Sequence, residues 1–241
     1  MEPAQVTVVL PTYNELENLP LIVPEIASYG YRLVIVDDNS PDGTGRLAES
    51  LAADLSQVSV LHRNEKTGLG PAYADGFDRA LEEGAEVVME MDADFSHDPA
   101  DLPRLVAAIA EGADVAIGSR YVPGGATPDW PMIRQFISRG GNLYARTMLG
   151  ISVRDATAGY RAYTADALKV LPYRSAKASG YGFQVELAWR AHRAGMKITE
   201  VPISFRDRTR GTSKMGLAIV LEAMWLVTVW GVGRWFRPSA R

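Results

Sequence analysis

The feature that most constrains this chain is an alternation of short apolar runs with amphipathic stretches, repeated four times over the first half of the sequence. Val6–Leu10, Leu33–Val36, Val58–Leu61, Glu86–Met91 and Val115–Ile117 read as strands. Helical patterns near Glu15–Ser28, Thr44–Asp54, Gly70–Glu83 and Pro99–Glu111 separate them. Strands joined through helices pair in parallel, because a parallel neighbour needs a long crossover. The runs are apolar without clean alternation, as strands covered on both faces are. The expectation is an α/β chain: a parallel sheet with helices on both faces.

Past Tyr121 the rhythm changes. Val122–Pro128 reads as a loop and Pro131–Leu149 as a helix. Arg161–Tyr163 and Lys197–Ile203 read as short strands, with a helix near Gln184–Ala194 between them. Phe205–Ser213 is polar and basic, and is expected to be mobile. Gly216–Phe236 is the last helix, which divides the chain into a body, 1–215, and a C-terminal helical segment, 216–241. Leu217–Val232 is apolar but for Glu222 and Thr228. A carboxylate inside a span is costly, whereas Trp225, Trp230 and Trp235 with Arg234 and Arg237 suit a helix lying in the headgroup layer. Docking on the body and a true span are the alternatives.

Composition removes several chemistries. The 241 residues contain no cysteine, which excludes disulfides, zinc–thiolate centres and cysteine nucleophiles. His62, His97 and His192 are too scattered for a histidine-built metal site, so any metal is a hard ion held by carboxylates. The net charge is −4. Seven basic residues against Asp207 and Glu222 give residues 201–241 a charge of +5, leaving −9 on residues 1–200. A basic end on an acidic body points to an anionic partner, a phosphate or an anionic membrane surface, or to a solvated cationic tail. The first residues lack the basic region of a signal peptide, so the chain is expected in the cytoplasm.

In an open parallel sheet, ligands bind beyond the carboxyl ends of the strands. The polar clusters fall there. Strand one runs into Pro11-Thr12-Tyr13-Asn14-Glu15 and strand two into Asp37-Asp38-Asn39-Ser40-Pro41-Asp42-Gly43-Thr44. Strand four runs into Asp92-Ala93-Asp94 and strand five into Gly118-Ser119-Arg120. Singly, each has an ordinary reading as a proline turn, an Asx turn with a threonine helix cap, or an acidic loop. Four converging on one edge are hard to explain by stability alone. Two carboxylates one residue apart at a strand end suit Mg²⁺, which takes one or two carboxylates together with substrate phosphates. No Walker A loop and no Gly-x-Gly-x-x-Gly after strand one occur, which disfavours a P-loop ATPase and a dinucleotide site. On the helix after Tyr121, Arg134 and Ser138 are four apart and share a face; with Arg120 they can bind a phosphate.

These clusters, with Asp155-Ala156-Thr157-Ala158-Gly159-Tyr160-Arg161 and Arg208-Thr209-Arg210-Gly211-Thr212-Ser213-Lys214, resemble the inverting GT-A glycosyltransferases of family 2, and among them the polyprenol-phosphate (dolichol-phosphate) mannosyltransferases. The resemblance runs from about Val6 to Lys214. It implies a GT-A fold, with a Rossmann-like, mostly parallel central sheet. It implies that Pro11, Tyr13 and Glu15 hold the nucleotide, that Val36 and Asp38 hold its guanine and ribose end, and that Asp92 and Ala93 touch nucleotide and sugar. Asp94 would ligate Mg²⁺ or Mn²⁺. Ser96 stands at the next metal position, where some members have Gln. Arg120, Arg134 and Ser138 would meet the lipid phosphate, and Arg208 and Lys214 would clamp the diphosphate.

The reaction so implied is transfer of mannose from GDP-mannose to a polyprenyl phosphate with inversion. The acceptor phosphate is anionic near neutral pH, its second pKa being about 6, so no dedicated base is required. Asp155 is expected to orient Arg161 or the sugar, or to be structural. The implied partners are GDP-mannose, polyprenyl phosphate and the cytoplasmic face of the membrane, with a membrane-protein anchor subunit left open and no nucleic acid. Two rivals stand beside this reading: a UDP-glucose (or other nucleotide-sugar) transferase to polyprenyl phosphate, and a non-catalytic nucleotide-sugar-binding subunit.

Overall fold

A computed structural model describes residues 2–176, 178, 180–207 and 217–236, without the side chains of 181, 217–221 and 234–236. Its centre is a seven-stranded sheet built from β1 (Val6–Thr12), β2 (Arg32–Asp37), β3 (Val58–His62), β4 (Val87–Glu90), β5 (Val115–Ser119), β6 (Arg161–Thr164) and β7 (Ile198–Pro202), in the order β3-β2-β1-β4-β6-β5-β7. The first four strands pair in parallel, as do β5 and β7. β6 runs antiparallel between β4 and β5. The sheet is therefore mostly rather than wholly parallel. Only the pairing partner, which lies about 70 residues away in sequence, determines that reversal.

The helices are α1 (Leu19–Ala27), α2 (Thr44–Asp54), α3 (Leu69–Glu82), α4 (Leu102–Ala110), α5 (Met132–Leu149), α6 (Ala165–Val170), α7 (Tyr181–Arg193) and α8 (Leu217–Phe236). They leave two apolar cores, one on each face of the sheet. One core has Val9, Val36 and Val88 against Phe77 of α3. The other has Val8, Leu10 and Ile35 against Ile22 and Ile26 of α1. The side-chain period of two along a strand makes this division, since successive residues face opposite layers. α3 lies so close to the sheet that a Cβ on Gly76 would stand 2.2 Å from Val9 Cγ1, so only glycine fits there.

The last helix packs one face on the body, as the docked alternative has it, and leaves the other face outward. It docks on α5 and α7, with Trp230 stacked on Trp189 at 5.3 Å, Val227 buried, and the Thr228 and Tyr144 hydroxyls 2.6 Å apart. Met224, Trp225, Val229 and Val232 stay exposed on its outer side. Phe205, taken as the start of a mobile segment, is anchored against Trp130 and His97, with its N–H donating to the Ala126 carbonyl at 2.9 Å. Residues 208–213 of that segment, with Gly216 and Arg237, lie outside the described residues.

Candidate active site

β1 leads to β2 and β3 on one side, and the chain then returns to place β4 on the other. This is the topological switch point at which α/β sheets bind ligands. A cavity of about 560 Å³ opens there. Three loops forming its donor wall each hold a non-glycine residue at positive φ: Asn14 after β1 (59°), Asn39 after β2 (59°) and Phe95 after β4 (60°). Asn tolerates this region. A phenylalanine there is strained, and such strain collects at functional sites. The turn that carries Phe95 is held by Asp94 Oδ1, which accepts from Ser96 N–H at 3.0 Å.

The first two loops are tied to each other. Thr44, expected as a helix cap, is instead the first residue of α2. It donates its hydroxyl to Asp42 at 2.6 Å and accepts from Glu15 N–H at 2.9 Å, while Asn14 N–H donates to Ser40 Oγ at 3.1 Å. Burial would raise the Asp42 carboxyl, but its hydrogen bonds from Thr44 bring it below the ordinary range. The adjacent Asp38 is buried, and Arg63 binds it while also reaching Asp75 at 2.8 Å.

Asp92 and Asp94 lie at the cavity's centre. Tyr73, fully buried on α3, donates its hydroxyl to Asp92 Oδ1 at 3.0 Å. Burial first, and then the charge of Asp92, push that phenol well above its ordinary range, so it stays a donor. His97 is buried behind the same turn, 4.8 Å from the Tyr160 ring. Burial, with Arg120 adding to it and Asp94 opposing, pulls its imidazole down to about 4, so it is neutral near pH 7. The donor set is one of hard oxygens, Asp92, Asp94 and Ser96, with no group of three acidic or histidine ligands among the described residues. That fits a divalent ion whose shell is completed by water and substrate phosphate, and not a closed protein cage.

The acceptor wall is made by Arg120 and Arg134. Arg120 is buried in a bidentate pair with Asp155 (Nε–Oδ2 2.7 Å, Nη2–Oδ1 2.6 Å), and its Nη2 also donates to Thr157 Oγ1 at 2.7 Å. Burial would raise the Asp155 carboxyl; the Arg120 charge and hydrogen bonds hold it below the usual range. Asp155 therefore orients Arg120, and the expected pairing with Arg161 is corrected. Arg161, wholly buried, donates to the carbonyls of Ala158 and Ala156 at 2.9 and 2.8 Å, pinning the loop that carries Asp155. Arg134, in the first turn of α5, pairs with Asp207. Both guanidinium groups lie over the Trp130 ring, at 3.9 Å for Arg134 and 5.3 Å for Arg120.

Of the residues named from sequence, Pro11, Tyr13, Glu15, Asp38, Asp92, Ala93, Asp94, Ser96, Arg120 and Arg134 line this one cavity. Val36 does not; its side chain is fully buried in the core. Ser138 does not either; its hydroxyl accepts from Tyr121 OH at 2.6 Å. Arg208 and Lys214 lie outside the described residues. Sequence reasoning missed Tyr73, Arg63, Trp130, Asp207 and Gln184. It also missed Lys66, whose ammonium stands 3.5 Å over the Tyr13 ring at the cavity. Only Arg63 sits at a strand end, directly after β3, whose end was not read as part of the site; for the others the strand-end rule gave no signal.

Comparison with known proteins agrees with this geometry. A polyprenol monophosphomannose synthase from Mycolicibacterium smegmatis is 49% identical over 96% of this chain and 89% of its own length. An undecaprenyl-phosphate mannosyltransferase from Micrococcus luteus is 50% identical over 98% of both chains. Glucosyl-3-phosphoglycerate synthase from Mycobacterium tuberculosis, crystallised with Mn²⁺, UDP and glucosyl-3-phosphoglycerate, has a TM-score of 0.67 over 98% of this chain and 81% of that one; at 22% identity the likeness is one of fold. Residues 7–171 match the family described as Glycosyl transferase family 2, and with relatives about half identical along nearly its whole length, the chain belongs to that family.

Proposed function

We propose that this glycosyltransferase moves a mannosyl group from GDP-mannose to a polyprenyl phosphate. The observation that carries the reading is a single cavity with carboxylates on one wall and two arginines on the other. Such a site suits a nucleotide diphosphate facing a second anionic substrate. The names of the two half-identical relatives support the mannosyl group and the polyprenyl phosphate.

In this reading Pro11, Tyr13, Glu15 and Asp38 cradle the nucleotide, and Asp92 and Ala93 meet the sugar. Asp94, with Ser96 beside it, would hold Mg²⁺ or Mn²⁺, and a bound ion there would offset charge on the departing diphosphate. Arg134 and Arg120 orient the acceptor phosphate as planar, multidentate donors. An acceptor phosphate oxygen forms its bond to the anomeric carbon as the bond to GDP breaks. GDP leaves with the electron pair, and the α-mannoside becomes a β-mannosyl phosphate. The acceptor enters as an anion, so no proton has to be removed, which is consistent with His97 being a buried, neutral ring of depressed basicity. Arg208 and Lys214 would bind the leaving diphosphate.

No helix among the described residues is long and apolar enough to cross a membrane. The exposed apolar side chains of α5 and α8 support a peripheral placement, on the cytoplasmic face in this reading. The test is radiolabelled GDP-mannose with polyprenyl phosphate and Mg²⁺, alongside UDP-glucose. Label in the lipid phase from GDP-mannose alone, as the β-anomer, is the expected result. Transfer from UDP-glucose alone, or from neither donor, overturns the reading.

A further inference from the structure

A second cavity, of about 330 Å³, lies on α5 away from the catalytic carboxylates. Arg139, Asn142, Leu143 and Arg146 line it from successive turns of one helix face. Arg154 comes from the loop after α5, and Tyr121 from the chain after β5. Eight other arginines among the described residues have a carboxylate within 4.0 Å. Arg139, Arg146 and Arg154 have none among the described residues, as is also true of Arg32, Arg46, Arg193 and Arg206; what sets the three apart is that they line one pocket together. The nearest compensation is Glu200, whose carboxylate is engaged by the backbone N–H groups of Arg154 and Asp155 at 2.8 and 3.0 Å.

Three like charges converging with no carboxylate paired to any of their guanidinium groups repel one another, and stability alone does not gather them. Two further atoms show that the pocket is an unfinished polar site. Arg146 Nε is buried with no hydrogen-bond partner, and so is Asn142 Oδ1. A buried N–H of a charged group left unbonded is costly, and native structures satisfy it with a ligand or water. Asn142 itself is fixed, because its Nδ2 donates to Ser138 O and Thr157 Oγ1 at 3.0 and 3.1 Å. The Arg139 guanidinium lies 5.8 Å from the Tyr121 ring. The pocket is thus preformed and cationic, with one aliphatic side chain, Leu143, in its lining.

We propose that this pocket is a phosphate-binding site distinct from the catalytic cavity, taking a phosphate mono- or diester between Arg139, Arg146 and Arg154. Several guanidinium forks match the several oxygens of one phosphate. A hydroxyl next to that phosphate would satisfy Asn142 Oδ1. Two sources present such a group: the headgroup of an anionic phospholipid and a free phosphate ester. The surroundings favour the lipid. Met132, Phe136 and Leu143 form an exposed apolar stripe along α5, 87%, 76% and 61% accessible, and Arg139 and Arg146 border it. An acyl chain on that stripe would bring its headgroup to the arginines. This inference does not depend on which sugar or acceptor the catalytic cavity uses.

The test compares the full chain with R139Q/R154Q, both exposed positions, and with R46Q/R104Q, which removes the same charge elsewhere. One arm is co-sedimentation with vesicles of phosphatidylglycerol in phosphatidylcholine against phosphatidylcholine alone. The other is calorimetric titration with inorganic phosphate and glycerol phosphate. The lipid source predicts that R139Q/R154Q loses about tenfold or more of its binding to anionic vesicles while the control pair loses twofold or less. The free source predicts that the heat of binding of the soluble phosphates disappears only in R139Q/R154Q. Equal behaviour of the two pairs in both arms overturns the site. R139K/R154K keeps the charge but not the forks, and it serves if the glutamine pair fails to fold. Recovery of less than half the lost binding supports geometric recognition of phosphate, and full recovery overturns it. GDP affinity, measured on every variant, separates a fault in this site from a fault in the catalytic cavity.

Discussion

The two walls of the catalytic cavity are built by different means. The donor wall is backbone-first: three strand-end loops are fixed through their backbone N–H groups, Thr44 to Asp42 and Ser96 to Asp94 within a loop and Asn14 to Ser40 between two loops. The acceptor wall is side-chain-first. Arg120 is set by Asp155, 35 residues away, and Arg134 by Asp207, 73 residues away, with Trp130 between them. Local loops can present carboxylates rigidly to a diphosphate. A wall of arginines needs partners to keep it ordered while empty, and those partners compete with the substrate. The donor wall is therefore expected to fail in chemistry when cut, and the acceptor wall to fail in stability or in acceptor affinity.

The largest effect is expected at Asp94. Removing a fixed electrostatic contact to the reacting centre costs about 10²–10³ in rate, and Asp94→Ala should fall at the upper end. Asp94→Asn keeps an acceptor for the Ser96 N–H but removes the charge. It should be as inactive as the alanine variant and unfold within about 1 kcal/mol of wild type. Single-turnover transfer and urea unfolding check both statements. Wild-type turnover in either variant would remove Asp94 from the chemistry.

Next comes the Arg120–Asp155 pair. Removing one partner of a buried ion pair leaves an uncompensated charge, at about 3–5 kcal/mol. Asp155→Asn should lose about that much in denaturant unfolding, because Arg120 is 5% exposed and its partner 0%. Asp207→Asn, at the half-exposed Arg134 pair, should lose no more than about 1 kcal/mol. Equal losses would erase the distinction between the two acceptor-wall arginines.

The same contrast explains what the sequence made legible. The five leading strands, the helices between them and the strand-end carboxylates were readable, because period, turn residues and strand ends are local signals. The antiparallel direction of β6 was not, and the docking of α8 was only one of three open alternatives. β6 is four residues long, and the partner that sets its direction is distant. The apolarity of α8 reads alike for lipid and for a protein groove, until Gly231, where a Cβ would stand 2.9 Å from the Met148 carbonyl, marks a close helix contact. Arg120 was named as a phosphate ligand from its strand end, but nothing nearby in sequence shows that Asp155 already holds it. Ser138 was placed on the Arg134 face by spacing. The structure turns its hydroxyl to Tyr121, because residues four apart are offset by about 40° on a helix.

A smaller effect is expected from pH on the apo protein. His97 has a folded pKa near 4 against 6.5 when unfolded, so the folded state binds fewer protons between those values. Its contribution to stability is complete above about pH 6.5 and is lost as pH falls from there toward 4. A gap of this size corresponds to about 3 kcal/mol. His97→Gln should flatten that part of the stability profile in urea titrations without added metal. An unchanged slope would mean that the ring is protonated in the folded state.

The smallest effect, and the most informative about the acceptor wall, is expected at Arg134. Its guanidinium is partly accessible, lies on Trp130 and is engaged by Asp207 before any substrate arrives. An acceptor phosphate has to exchange for that carboxylate, so the net gain from Arg134 is the difference between two charge-assisted contacts. Hydrogen bonds to charged groups contribute about 1.5–3 kcal/mol, and the displaced exposed pair is worth about 0–1 kcal/mol. Arg134→Ala should therefore raise the acceptor KM about tenfold, equivalent to about 1.4 kcal/mol, with GDP affinity unchanged by calorimetry. Asp207→Asn removes the competitor and should lower the acceptor KM by up to about fivefold, provided Trp130 alone keeps Arg134 in place. If Asp207→Asn instead raises the acceptor KM as far as Arg134→Ala does, Asp207 positions the arginine rather than competing for it. An equal loss of GDP affinity in Arg134→Ala would mean that the two walls are not separable.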